Sequence, residues 1–316
     1  MVVKPFRLWS FVIVCLCTPL AVAQNKTASA NSYLERGNQW LKKGEVERAI
    51  EDFTFAVSFD PMLDTAYFNR GVARERKGDR DGALSDYARA LQLNARNIDA
   101  HLSRGVLFSQ QKDYAAALRD FEAASEINPR DARPWINRGA TNHVRHDFAA
   151  ALQAYSQAVT LAPKDARAWT GRGGTRFFLG DVAGALADLQ QALKLNPQLA
   201  LAYNQRAEIW LQQGAPDRAL ADVERAIQCE PTMAEAWANR GEAWFATGKL
   251  ERALADYDEA LKLNPQFTQV WCNRGIVRLQ LKQDAAAEED FTRGRELGGS
   301  LSPYVEQWLQ ERQKKR

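Results

Sequence analysis

An all-α solenoid of antiparallel helix pairs is the fold this sequence predicts, and three observations predict it. The pair Arg-Gly returns every 34 residues, at Arg36-Gly37, Arg70-Gly71, Arg104-Gly105, Arg138-Gly139, Arg172-Gly173, Arg240-Gly241 and Arg274-Gly275, with Arg206-Ala207 in the one gap. A glycine falls near the middle of most intervals, at Gly44, Gly78, Gly180, Gly214 and Gly248. A proline closes most of them, at Pro61, Pro129, Pro163, Pro197, Pro231 and Pro265. Self-similarity at a fixed period of this length marks one supersecondary unit stacked on copies of itself.

Counted from Ala30, eight units run to residue 301. The first helix of each carries an aromatic residue at position 4 (Tyr33, Tyr67, Trp135, Trp169, Tyr203, Trp237, Trp271, with His101 in the third unit) and the small residue at position 8. The glycine at position 15 supplies a turn residue able to adopt positive φ. The second helix has Ala at position 20 in every unit and a large apolar residue at position 24: Phe53, Tyr87, Phe121, Tyr155, Leu189, Val223, Tyr257 and Phe291. Proline at position 32 cannot continue the helix and ends it. A hairpin centred near position 15 is expected to set the small residues at 8 and 20 face to face, so that the backbones approach. Gly costs about 1 kcal/mol against Ala inside a helix, so a periodic Gly implies a larger gain in packing.

Arg at position 7 stands level with Asp at position 23, which is Asp52, Asp86, Asp120, Asp188, Asp222, Asp256 and Asp290; only Ala154 breaks the row. The spacing predicts an ion pair between the two helices of each such unit, with the Arg stem covering apolar surface. After the eighth unit, Ser302-Pro303 forms an N-cap and first-turn pair. Tyr304, Val305, Trp308, Leu309 and Arg312 follow at helical spacing. Residues 302–316 therefore read as a capping helix over the open end, with a basic tail at Lys314-Lys315-Arg316.

This pattern resembles the tetratricopeptide repeat, in a variant with Asn-Arg-Gly in the first helix and Arg where the family usually has Leu. The resemblance covers almost all of the chain after residue 29 without a slip of phase. It implies a right-handed superhelical solenoid of eight units plus the capping helix, whose concave face is lined by positions 2, 5, 6, 9, 12 and 13 and binds a protein or peptide.

The amino terminus is of another kind. Lys4 and Arg7 precede an apolar run from Leu8 to Leu20, and Ala21-Val22-Ala23 gives a small-x-small pattern before Gln24. This is the pattern of a secretory signal peptide over residues 1–23, followed by a flexible segment at 24–29. It predicts an exported bacterial protein, secreted or periplasmic, with no membrane anchor after cleavage. Cys15 and Cys17 lack the small preceding residue of a lipoprotein signal. Cys229 and Cys272 belong to units six and eight, too far apart for a disulfide, so two free thiols are expected. Lys and Arg number 42 against 39 Asp and Glu, a balance without the clustered basic stripe of a nucleic-acid binder.

No catalytic constellation or cofactor motif is present. His143 and His146, with Asp147 adjacent, form a conceivable metal pair and motivate the reading as a metal-dependent enzyme, but no second ligand pair is evident. Gly171, Gly173 and Gly174 lie within a first helix and leave space rather than hold phosphate. The carboxylate clamp of chaperone-binding tetratricopeptide domains is matched by Asn38 and Asn69, but Leu34, Asp99 and Ser103 stand where its cations are needed. What remains is the row the repeat does not fix. Phe177, Leu211, Phe245 and Leu279 at position 12, with Phe178 beside them, form an apolar stripe in units five to eight. Glu208 and Glu242 add negative charge at position 9. Asn137, Asn239 and Asn273 at position 6 resemble the asparagine ladder with which the Ser/Thr-modifying N-acetylglucosamine transferase holds peptide backbone. These ten residues are the candidate partner-binding set of a scaffold. The alternative without a groove ligand is a structural or self-assembling envelope spacer.

Overall fold

A computed structural model describes residues 19–314, all of whose regular structure is α-helical. Residues 1–18, most of the expected signal segment, lie outside the described residues, as do Lys315 and Arg316. The chain divides at Pro129. The first part pairs α1 (Pro19–Lys43) with α2 (Val46–Phe59), α3 (Asp64–Lys77) with α4 (Arg80–Leu93), and α5 (Ile98–Gln110) with α6 (Tyr114–Ile127). The second pairs α7 (Arg133–Val144) with α8 (Phe148–Leu161), α9 (Ala166–Phe178) with α10 (Val182–Leu195), α11 (Ala200–Gln212) with α12 (Pro216–Cys229), α13 (Ala234–Ala246) with α14 (Leu250–Leu263), and α15 (Thr268–Gln280) with α16 (Asp284–Glu296); α17 (Pro303–Lys314) follows. Residues 24–29 lie within α1.

Position 15 has positive φ in all eight units, at Gly44, Gly78, Gly180, Gly214 and Gly248 and also at Lys112, His146 and Lys282. Asp79, Asp113, Asp147 and Asp181 follow that residue and cap the next helix, each accepting from a backbone N–H three residues on at 2.9–3.1 Å. Ser302 Oγ accepts from Val305 N–H at 3.3 Å and opens α17. Val305 and Leu309 of α17 are buried against Ala287 and Phe291, whereas Tyr304 faces solvent. Cys229 and Cys272 are free thiols.

The close packing at position 8 differs from the expectation. The residue admitted there is chiefly the side chain at position 24, not the backbone beside Ala at position 20. A methyl group built on Gly241 would lie 2.7 Å from Tyr257 Cε1, and on Gly37, Gly71, Gly105 or Gly275 it would lie 2.6 Å from the matching ring. Unit six shows the rule by exception: its position 24 is Val223, and there alone the small partner is Ala207; both are fully buried. Helix propensity is surrendered where a large side chain must fit, a ring or in unit five Leu189, and recovered beside the smaller Val223.

The ion pairs form as the spacing requires. In seven units the Arg at position 7 donates through Nε and Nη2 to both carboxylate oxygens of the Asp at position 23, at 2.6–3.0 Å. Wherever position 4 is aromatic, the guanidinium also lies against that ring, 4.6–5.8 Å from its centre. Outside unit three, each buried Asp thus meets a planar fork already held by the position-4 ring.

Candidate functional site: an acidic aromatic groove

Three successive first helices, α9, α11 and α13, present their unpatterned positions to one cavity of about 450 Å³. It is lined by Phe177, Phe178, Glu208, Leu211, Gln212, Asn239 and Glu242. Phe178 is 55% exposed, unusual for so large an apolar side chain. Its ring stacks on Phe148 of the preceding unit, with centroids 4.9 Å apart and planes 8° from parallel. His143 meets both rings edge-on at 5.1 Å. Its orientation is set by Thr175: the Thr hydroxyl donates to Gly171 C=O at 2.8 Å, so at 3.1 Å it accepts from His143 Nδ1–H. Burial, and then the neighbouring His146, push His143 below the usual imidazole range. The histidine pair therefore builds an aromatic wall. Among the described residues no group of three or more His, Cys, Asp and Glu side chains could hold a metal ion.

The electrostatics of the groove are one-sided. Glu208 and Glu242 are both exposed to solvent along the groove, and partial desolvation pushes both carboxyls above the usual range; the Glu242 charge raises Glu208 further. The amide of Asn239, which lines the groove, donates to Asn204 Oδ1 at 2.9 Å.

Three family models, each for the tetratricopeptide repeat, match this chain: one over residues 34–98, 68–132 and 102–166, a second over 138–209 and a third over 234–267, together more than half of the sequence. The chain belongs to the tetratricopeptide repeat family. Solved structures agree on the fold. A tetratricopeptide repeat protein from Parabacteroides merdae aligns over 82% of this chain and 99% of its own, at 22% identity and a TM-score of 0.65. In the APC/C hetero-tetramer Cut9–Hcn1, a chain aligns over 88% of this one and 55% of its own, at 16% identity and TM-score 0.69. The structure of yeast Tom70 aligns over 82% and 56%, at 18% identity and TM-score 0.57. No curated protein matches in sequence. Tetratricopeptide repeats typically form protein-interaction scaffolds.

Within this tetratricopeptide array, the groove gathers six of the ten candidates: Phe177, Phe178, Glu208, Leu211, Asn239 and Glu242. The other four lie elsewhere. Phe245 is half-buried against the core around Tyr257 and Val277. Leu279 packs on the cluster of Phe291, Val305 and Leu309 and borders a smaller notch of about 370 Å³ beside α17. Asn273 accepts from Gln269 at 3.3 Å, and Asn137 is on α7. Phe177 and Leu211 also pack on core clusters, each turning one edge to the groove. Sequence reasoning omitted Phe148 and Gln212. Phe148 occupies a second helix, outside the positions a concave-face template inspects, and only the fold brings it beside Phe178.

Proposed function

We propose that this tetratricopeptide protein is an exported scaffold that captures an extended segment of a protein partner in the groove of α9, α11 and α13. The observation that carries the reading is the juxtaposition in one groove of an exposed, stacked phenyl ring, Phe178, with two carboxylates, Glu208 and Glu242. An apolar side chain on the segment would cover the ring, and a Lys or Arg near it would neutralise the carboxylates. Asn239 supplies a backbone-matching oxygen without demanding a sequence. The role is binding, with no cofactor and no chemistry performed on the partner. Export is supported by the composition of residues 1–23, and no described helix is long and apolar enough to cross a membrane.

Titration calorimetry with extended peptides tests the groove. A peptide carrying Lys between Leu and Phe should bind, and the same peptide with Lys→Glu should not. Phe178→Ala should weaken the first by about thirtyfold, the equivalent of about 2 kcal/mol for an aromatic anchor. Equal binding of both peptides, or indifference to Phe178→Ala, refutes the reading. Amino-terminal sequencing tests export: the exported chain should begin at Gln24, and retention of Met1 would exclude cleavage.

A further inference from the structure

The ion-pair seam is broken in one unit only, the fourth. Arg138 rests on Trp135 at 5.3 Å from the ring centre, within the range of its counterparts. Where seven units place an Asp, Ala154 is buried, and no hydrogen bond or ion pair engages the part-exposed Arg138 guanidinium among the described residues. Among the described residues an auxiliary donor is missing too, as it is in units one and seven. In units two, five and eight a second arginine, Arg74, Arg176 or Arg278, reaches the same Asp at 2.9–3.0 Å, and in unit six Trp210 does so at 3.1 Å. Unit four has the buried Asn142 at that position. The acceptor and its auxiliary donor are both absent, while the primary fork and its aromatic support remain. A second observation concerns Trp135. The indole N–H groups of Trp169, Trp237 and Trp271 donate to Pro163, Pro231 and Pro265 C=O at 2.8–3.0 Å, but that of Trp135 is buried with no acceptor. Unsatisfied buried donors are rare and call for a physical account.

We propose that Arg138 is a carboxylate-binding site, at which an acidic side chain or chain terminus of a bound protein takes the place that Asp holds in the other seven units. The geometry is the repeat's own: a guanidinium offers two parallel donors, a carboxylate matches them, and the aromatic ring fixes the plane in advance. Preorganisation of this kind lowers the ordering cost of binding. The site is independent of the acidic groove and does not rest on the function proposed for it.

Thermal unfolding of the full chain at pH 7 tests this, with sodium acetate compared with sodium chloride at equal ionic strength. The wild type should show a saturable rise in Tm of about 2 °C specific to acetate. Ala154→Asp fills the site with the residue its seven counterparts use, and Arg138→Gln removes the fork; both should lose the acetate response. N-Acetylglycine and the α-amide of N-acetylglutamate separate a terminal from a side-chain carboxylate, and a response to either one supports the site. The proposal fails if the wild type responds equally to acetate and chloride, or if the acetate response survives in both variants.

Discussion

Along α13, Arg240 and Glu242 stand two residues apart and obey different constraints. Arg240 grips Asp256 at 2.7 Å and has a counterpart in every unit. Glu242 faces the groove, and its one acidic counterpart at position 9 is Glu208. The seam of arginines and aspartates is periodic because every hairpin must close in the same way. The groove is aperiodic because nothing in the hairpin requires its residues. In an array of near-identical units, departure from the period is where a ligand can have left its mark.

The seam gives the largest effect. Asp256→Ala leaves the Arg240 guanidinium without its acceptor and should cost about 3 kcal/mol, as for other broken ion pairs with a buried member. Arg240→Leu strands the more deeply buried Asp256 carboxylate instead and should cost at least as much. Urea denaturation of both variants decides the order; equal, negligible losses would show that water replaces the bridge.

Next comes the ring seated at position 8. Gly241→Ala gains helix propensity of about 1 kcal/mol but drives a methyl group into Tyr257, an overpacking cost of about 1–3 kcal/mol. A net loss near 1 kcal/mol is expected. Tyr257→Val added to it reproduces the Ala207 and Val223 pairing of unit six, so the double variant should be more stable than the sum of the two single changes implies. Strict additivity in the denaturation midpoints would break the account.

These two predictions mark what was legible beforehand. Positions 4, 7, 8, 15, 20, 23 and 24 could be read because they repeat eight times, and each repetition tests the others. Spacing alone does not give the partner of Gly241, because level positions in an ideal hairpin do not say which side chain leans into the gap; side-chain size does. In the groove, Glu208, Glu242 and Phe178 stood out by breaking the pattern. Phe148 did not, since its position tolerates Val46, Arg80, Tyr114 and Pro216 alike. Phe245 and Leu279 shared the spacing of Phe177 but not its surroundings, because what packs on each differs from unit to unit.

That difference gives a third test. Phe245 is half-buried against Tyr257 and Val277, so Phe245→Ala should lower stability by about 1–2 kcal/mol, half or more of the value of a fully buried side chain. Phe178 is mostly exposed, and Phe178→Ala should change the midpoint little while weakening peptide capture. A large stability loss in the Phe178 variant would place its ring in the core and remove it from the groove.

The smallest effect, and the most specific, is the pH dependence of the acidic pair. Glu208 and Glu242 hold their protons more tightly in the folded chain than in the unfolded one, because partial desolvation disfavours their charged forms and Glu242 repels the charge on Glu208. For a carboxyl raised in this way the folded state binds more protons across the interval between its ordinary and its raised value. Stability therefore falls as pH rises through that interval, and above it the ionised pair is a standing cost. Replacing both by Gln removes that cost. The double variant should unfold together with the wild type below the ordinary glutamate range and at a slightly higher midpoint at pH 7 and above. A lysine-bearing peptide should reverse the order at pH 7, since a cation between the carboxylates stabilises only the chain that has them. If the two midpoints coincide at every pH without peptide, water reaches both carboxylates freely. The groove would then be a solvated notch whose charge gives a basic segment no advantage.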